Sequence, residues 1–137
     1  MRSVRFIGLI FLSAFASATA LSGANARPIG QSEINDVMGA TVAVALWLSA
    51  HAKEPGAEAK AMELCTDAEA TAAKFDFSVA AAGMIAECKA IVYEEVNKKA
   101  LACSHYKSAA AHYRRAAKET YQSYAERQEQ SLKSLGC

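Results

Sequence analysis

One seven-residue phrase occurs twice in succession near the end of the chain, as SHYKSAA from Ser104 and AHYRRAA from Ala111. Each copy carries a histidine, a tyrosine and a basic residue in the same order. Such residues could ligate a metal, stack against an aromatic ligand or bind an anion. On a helix, however, a seven-residue repeat returns each residue type to nearly the same face. The phrase therefore predicts either a basic, aromatic binding surface or a seam where two helices pack.

The tyrosines favour the packing interpretation. Tyr106 and Tyr113 fall on one side of a helix, with Ala110 and Ala117 between and beyond them. Alternating large and small side chains let a neighbouring helix approach closely. We therefore expect both tyrosines to be buried.

The two histidines of the phrase do not form a metal site by themselves. His105 and His112 would lie about 10.5 Å apart along one helix, too far to share an ion without ligands from elsewhere. The cysteines of the chain also lack the C-x-x-C spacing of a chelating pair. We expect no metal and no cofactor.

Four basic residues beside the tyrosines form a candidate contact surface, here named the basic flank: Lys107, Arg114, Arg115 and Lys118. Such a flank is often a solvated helix surface, but it could also contact an anionic partner. The candidate partners are a protein or an anionic component of the cell envelope. The near-neutral charge of the chain argues against nucleic acid.

The sequence contains no recognisable catalytic motif. It lacks a glycine-rich phosphate loop, a nucleophile elbow and a haem attachment motif. We therefore expect no enzyme but a small exported binding or accessory protein that acts by contact with another macromolecule. A carrier of a small apolar or amphipathic ligand between alanine-rich helices is the alternative. Because catalytic triads assemble in space, an envelope hydrolase also stays open as the weakest alternative.

The amino terminus predicts export. Arg2 and Arg5 precede an apolar segment at 6–16, and Ala24-Asn25-Ala26 offers the small residues that a signal peptidase requires. We predict a signal peptide at 1–26 and one domain at 27–137, with a periplasmic or secreted location. A second uncharged segment, 37–52, is short for a membrane span, so we expect a buried helix there and no transmembrane span in the mature chain.

Four cysteines after an export signal predict disulfide bonds. Residues equidistant from the turn of an antiparallel helix hairpin lie opposite each other. Cys65 and Cys88 are equidistant from a break in the helical pattern at 75–78, so we expect them to pair. Cys103 could then pair with Cys137 only if the chain turns near residue 120, because one continuous helix would hold them about 51 Å apart. If no turn occurs there, Cys137 is left free or links to another chain.

The composition predicts an all-α fold, a small antiparallel bundle of four or five helices held by disulfides. Alanine supplies 31 of the 137 residues, and proline and glycine are scarce after residue 56. We expect Ser32 to cap a first helix that ends at Glu54-Pro55-Gly56, and Asp76 or Ser78 to cap a third. Further breaks are expected near 102–104 and near 119–123, where Ser123 and Glu126 resemble a capping box.

The charges divide the chain into an acidic and a basic part. Residues 27–96 contain 5 basic and 11 acidic residues, whereas residues 97–137 contain 8 basic and 3 acidic residues. We expect the two parts to pack through complementary faces. The sequence is compatible with a homo-oligomer.

Overall fold

The computed structural model describes residues 26–137, which form five α-helices and no β-strand. In chain order these are α1 Gln31–His51, α2 Ala57–Ala72, α3 Val79–Glu95, α4 Lys99–Arg115 and α5 Glu119–Leu135. The predicted all-α antiparallel bundle is confirmed. The predicted signal peptide lies outside the described residues except for Ala26. Within the described part of the chain, no helix is both long and apolar enough to cross a membrane.

Helix α3 lies at the centre of the bundle. Helices α1, α2 and α3 contact one another, α4 packs on α3, and α5 packs on α4. The buried side of α1 is a stripe at three- and four-residue steps: Ile34, Val37, Thr41, Val44 and Leu48. The Thr41 hydroxyl donates a hydrogen bond to the Met84 carbonyl of α3 at 3.3 Å. The stripe therefore positions α1 against α3.

The predicted caps of α1 and α3 are correct only in part. Ser78 caps α3, and its hydroxyl accepts a hydrogen bond from the Ala81 amide at 3.3 Å. The prediction that Ser32 caps α1 is wrong. Gly30 occupies that position, no side chain caps the helix, and Ser32 lies in its first turn.

The turn between α3 and α4 lies at 96–98, so the prediction of a break near 102–104 is wrong. Asn97 adopts the left-handed conformation, with φ 61°. Its amide donates to the Glu94 carbonyl, and the Lys98 amide donates to the Tyr93 carbonyl at 2.8 Å. This is the Schellman pattern, which Asn adopts more readily than most residues. Because α3 ends here, Glu94 and Lys98, which are four residues apart, do not pair along one helix.

The turn between α4 and α5 lies at 116–118, a few residues before the predicted position. The Gln122 side-chain amide donates to the Tyr113 and Ala116 carbonyls at 3.3 and 3.0 Å and so satisfies the end of α4. The predicted capping box at Ser123 is wrong, because α5 begins at Glu119. The Ser123 hydroxyl instead donates to the Thr120 carbonyl within the helix.

Two disulfide bonds fasten the helices in pairs: Cys65–Cys88, which the cysteine spacing predicts, and Cys103–Cys137, which was expected only if the chain turned near residue 120. Cys65–Cys88 joins α2 to α3 across 5.8 Å between Cα atoms, and both residues are buried. Cys103–Cys137 joins α4 to the second residue after α5, across 6.0 Å between Cα atoms. Gly136, at φ 72°, makes the left-handed turn that carries Cys137 back towards α4.

The acidic and basic parts of the chain contact each other through carboxylates of the first part. Glu58 pairs with Lys98 at 2.7 Å, and Glu87 pairs with Arg127 at 3.4 Å. Glu87 also accepts a hydrogen bond from the Tyr113 hydroxyl at 2.6 Å. These contacts agree with packing through complementary faces.

Candidate binding surfaces

The repeated tyrosines lie in the packing seam between α3 and α4. Tyr106 is 4% exposed and Tyr113 is fully buried. Their hydroxyls donate to carboxylates of α3, Tyr106 to Glu94 and Tyr113 to Glu87. Burial, together with the neighbouring carboxylates, raises the pKa of both phenols far above the usual value. Both hydroxyls therefore stay protonated and act as donors, and the prediction that the tyrosines are buried is confirmed.

The two histidines lie at the edge of this seam, and both are partly buried. The His105 ring stacks on Tyr93 with 5.3 Å between ring centroids, and the His112 ring meets the edge of Phe77 at 6.5 Å. Burial lowers the pKa of His105, and the positive charge of Lys89 lowers it further. His105 is therefore uncharged at neutral pH.

A groove runs along α3 and α4 beside these histidines, with a volume of about 520 Å³. Its floor consists of small and aliphatic side chains, including Ala82 and Ile85. The groove is divided by polarity into two ends. Near one end lie the aromatic rings of Phe75, Phe77 and His112; near the other lie Lys89, Glu69 and His105. Lys89 and Glu69 form an ion pair at 2.8 Å.

The basic flank is exposed but partly neutralised. Lys107, Arg115 and Lys118 are exposed and form no ion pair with another described residue. Arg114 is also exposed, but its guanidinium donates to both carboxylate oxygens of Glu129 at 3.0 Å. The flank therefore presents three uncompensated positive charges and one that α5 already balances.

Two of the exposed large hydrophobic residues lie on α1, on the side opposite the core. Val42 is 55% exposed and Leu46 is 69% exposed. They belong to the segment 37–52, which contains no Asp, Glu, Lys or Arg. The expectation that this segment is a buried helix is therefore correct for only one of its faces.

Six exposed residues follow one another along this side of α1 at alternating three- and four-residue steps. We name them the α1 outward stripe: Asp36, Gly39, Ala43, Leu46, Ala50 and Lys53. The first five lie within α1, and Lys53 follows the C-cap residue Ala52. Such spacing places a row of side chains on one face and is the pattern of a helix that contacts another helix.

The outward stripe and the groove differ in whether the sequence could have revealed them. The outward stripe is visible in the sequence as a second heptad pattern, two residues after each member of the buried stripe in α1. The first pattern accounted for the apolar segment, so the second was missed. The groove has no signal of this kind, because its residues come from three helices, α2, α3 and α4, and from the loop at 73–78 and meet only in the fold.

Among residues 26–137, no group of three or more His, Cys, Asp or Glu side chains is arranged to hold a metal ion. Comparisons with known protein families, with curated proteins and with solved structures give no match for this chain.

Proposed function

We propose that this chain is a small exported binding protein that acts by contact with another protein through the outward face of α1. The observation that carries the proposal is the exposure of Val42 and Leu46 on a helix segment without charges. Exposed apolar patches of this kind mark interaction sites, because covering them removes apolar surface from water. An uncharged helix face suits an apolar helix of a partner.

Export is supported by the signal-like amino terminus and by the two disulfide bonds. Disulfides persist in the periplasm and outside the cell, whereas reducing systems keep most cytosolic thiols free. The proposal therefore places the mature chain, 27–137, in an oxidising compartment.

The α1 face supports a protein partner better than the basic flank supports an anionic envelope component. The flank is short, and the Arg114 charge in its middle is balanced by Glu129. Surface charges of this kind are also strongly screened by salt. The apolar α1 face keeps its attraction at physiological ionic strength.

The test is recovery of partners from the envelope fraction with three matched baits: the wild-type protein, Leu46→Glu and Arg115→Glu. Leu46 and Arg115 are both exposed, so neither substitution should unfold the protein. We expect a protein that the wild type and Arg115→Glu retain and that Leu46→Glu loses. A partner that Arg115→Glu loses but Leu46→Glu retains would show that the contact lies on the basic flank, and would contradict the proposal.

A second candidate function, a carrier of a small amphipathic ligand, is favoured by the groove between α3 and α4. A volume of about 520 Å³ lies within the usual range for a small-molecule site. The aromatic end would take an apolar body, and Lys89 would take an anionic head after releasing Glu69. Glu69 is half exposed and so has room to turn away.

An anionic aromatic dye, 1-anilinonaphthalene-8-sulfonate, tests the carrier function through its own fluorescence. Trp47 lies outside the groove lining, so its emission is a poor reporter for this site. We expect Glu69→Gln to strengthen dye binding, because it removes the competing carboxylate, and Lys89→Gln to abolish it. Equal dye binding by the wild type and both variants would remove the groove as a ligand site.

A further inference from the structure

We propose that the partner of the α1 outward stripe is a second copy of this chain, paired antiparallel across a twofold axis; this inference rests on the proposed function. A twofold interface uses the same patch on both subunits, so the patch must be complementary to itself. The stripe meets this condition in both shape and charge.

The shape argument follows from the register of the stripe. With the twofold axis between positions 44 and 45, Ala43 of one copy faces Leu46 of the other, and Gly39 faces Ala50. Each layer then combines a small side chain with a larger or equally small one. The exposed Leu46 side chain is the one large apolar member of the stripe, and it would meet the partner where Ala43 leaves room. Small residues at such positions allow two helices to approach closely.

The charge argument fixes the direction of pairing. In the same register, Asp36 at one end of the stripe faces Lys53 at the other end of the second copy, and the symmetry creates this contact twice. The two residues lie about 25 Å apart along the axis of α1, so they cannot neutralise each other in the monomer. A parallel pairing would instead set Asp36 against Asp36 and Lys53 against Lys53. The charges at the ends of the uncharged segment therefore select the antiparallel arrangement.

The interface is expected to be weak. One helix against another buries less than the roughly 1,200 Å² typical of stable complexes, so we expect a Kd of roughly 10–100 μM. Such a dimer forms and dissociates with the local concentration of the protein.

The experiment is sedimentation velocity of the oxidised, purified protein from micromolar to about 1 mM concentration. The variants are Leu46→Glu, Asp36→Lys, Lys53→Asp and the double reversal Asp36→Lys/Lys53→Asp. All three substituted positions are exposed, and circular dichroism of each variant checks that it keeps its helices. We expect a concentration-dependent dimer for the wild type and none for Leu46→Glu. Each single reversal should weaken association about tenfold, and the double reversal should restore most of it.

The double reversal distinguishes an antiparallel self-contact from any other use of the face. The inference would be overturned if Leu46→Glu left dimerisation unchanged, or if the double reversal failed to restore it. A wild-type protein that stays monomeric at all concentrations would overturn it as well. If that monomer still recovers a different protein in a way that Leu46→Glu abolishes, the proposed function stands without self-pairing. If it recovers nothing, both fail.

Discussion

At the scale of single residues, Tyr113 links three helices. Its ring is fully buried between α3 and α4 and stacks on Tyr121 of α5 at 6.2 Å between centroids. Its hydroxyl donates to Glu87 of α3, which also pairs with Arg127 of α5. The side chain therefore contributes both apolar burial and a charge-assisted hydrogen bond, the stronger kind because its acceptor is ionised.

Tyr113→Ala should lower the free energy of unfolding by about 3–5 kcal/mol, because it removes a buried ring and leaves a cavity. Arg114→Glu is the matched surface control. It places a carboxylate opposite the half-exposed Glu129 and should cost about 1 kcal/mol or less. Urea unfolding of both variants measures the difference. A Tyr113→Ala protein as stable as the wild type would mean that the repeated phrase is not a packing seam.

Gly83→Ala should destabilise the protein although alanine is the better helix former. A Cβ atom at Gly83 would lie 2.8 Å from the ring of Tyr113, which is fully buried and cannot turn away. We expect an overpacking cost of about 1–3 kcal/mol, more than the roughly 1 kcal/mol gained from helix propensity. The double variant Gly83→Ala/Tyr113→Leu should recover part of the loss in thermal melts. A more stable Gly83→Ala protein would show that α3 and α4 are not in close contact here.

His105 should make the protein less stable in mild acid. Burial and Lys89 hold the pKa of His105 below its ordinary value of 6.5. As the pH falls through about 6.5, the unfolded chain binds a proton that the folded protein does not yet bind, so stability falls. His105→Gln removes this titration. Between pH 7.5 and pH 5.5 the Tm of the wild type should therefore fall more than that of the variant, and equal decreases would contradict the lowered pKa.

At the scale of the helices, the sequence predicted pairs of elements better than their boundaries. The Cys65–Cys88 pair and the turn it spans follow from the symmetric spacing of the two cysteines about 75–78. The end of α3 was missed because it depends on a left-handed Asn97, a conformation that no apolar pattern announces. α4 ends a few residues before the predicted break, because Gln122 of the next helix supplies the cap. Interactions across a turn set the ends of α3 and α4. The local spacing of apolar residues carries no information about such interactions.

The candidate sites also differ in how far the sequence alone could predict them. The buried tyrosines could be predicted, because a heptad repeat with alanines is a local pattern. The outward stripe of α1 was present in the sequence as a second heptad pattern, but which of the two patterns faces the core is decided by the neighbouring helices. The groove could not be predicted, since Phe77, Lys89 and His105 come from three separate elements.

The two disulfides should differ in what their removal costs. By the chain-entropy estimate each contributes about 3–4 kcal/mol. Cys65 and Cys88 are also fully packed in the core, whereas Cys137 is exposed. We therefore expect Cys65→Ala/Cys88→Ala to destabilise more than Cys103→Ala/Cys137→Ala in urea unfolding. Removing the second bond should raise hydrogen exchange at the end of α5 and leave α2 unchanged. The reverse order of stability would contradict the placement of the Cys65–Cys88 bond in the core.

At the scale of the whole molecule, the charges and the apolar surface have different roles. Carboxylates of the acidic part meet bases and tyrosine hydroxyls of the basic part: Glu58 and Glu87 pair with bases near the surface, and Glu87 and Glu94 accept from buried tyrosines. Part of the charge asymmetry seen in the sequence therefore joins the two parts of the chain. The outward side of α1 instead exposes Val42 and Leu46 to solvent, and the proposed contact with another molecule rests on this exposure.

The central claim is that this face, and not the basic flank, is occupied when the protein works. A photo-reactive phenylalanine analogue at position 42 tests it in the producing cell, with position 111 as the matched control. Val42 lies beside the outward stripe. Ala111 is an exposed residue of α4 that lies four residues from both Lys107 and Arg115 of the basic flank. We predict a covalent adduct from position 42 that Leu46→Glu abolishes, and none from position 111. An adduct from position 111 alone, or from neither position, would contradict the account.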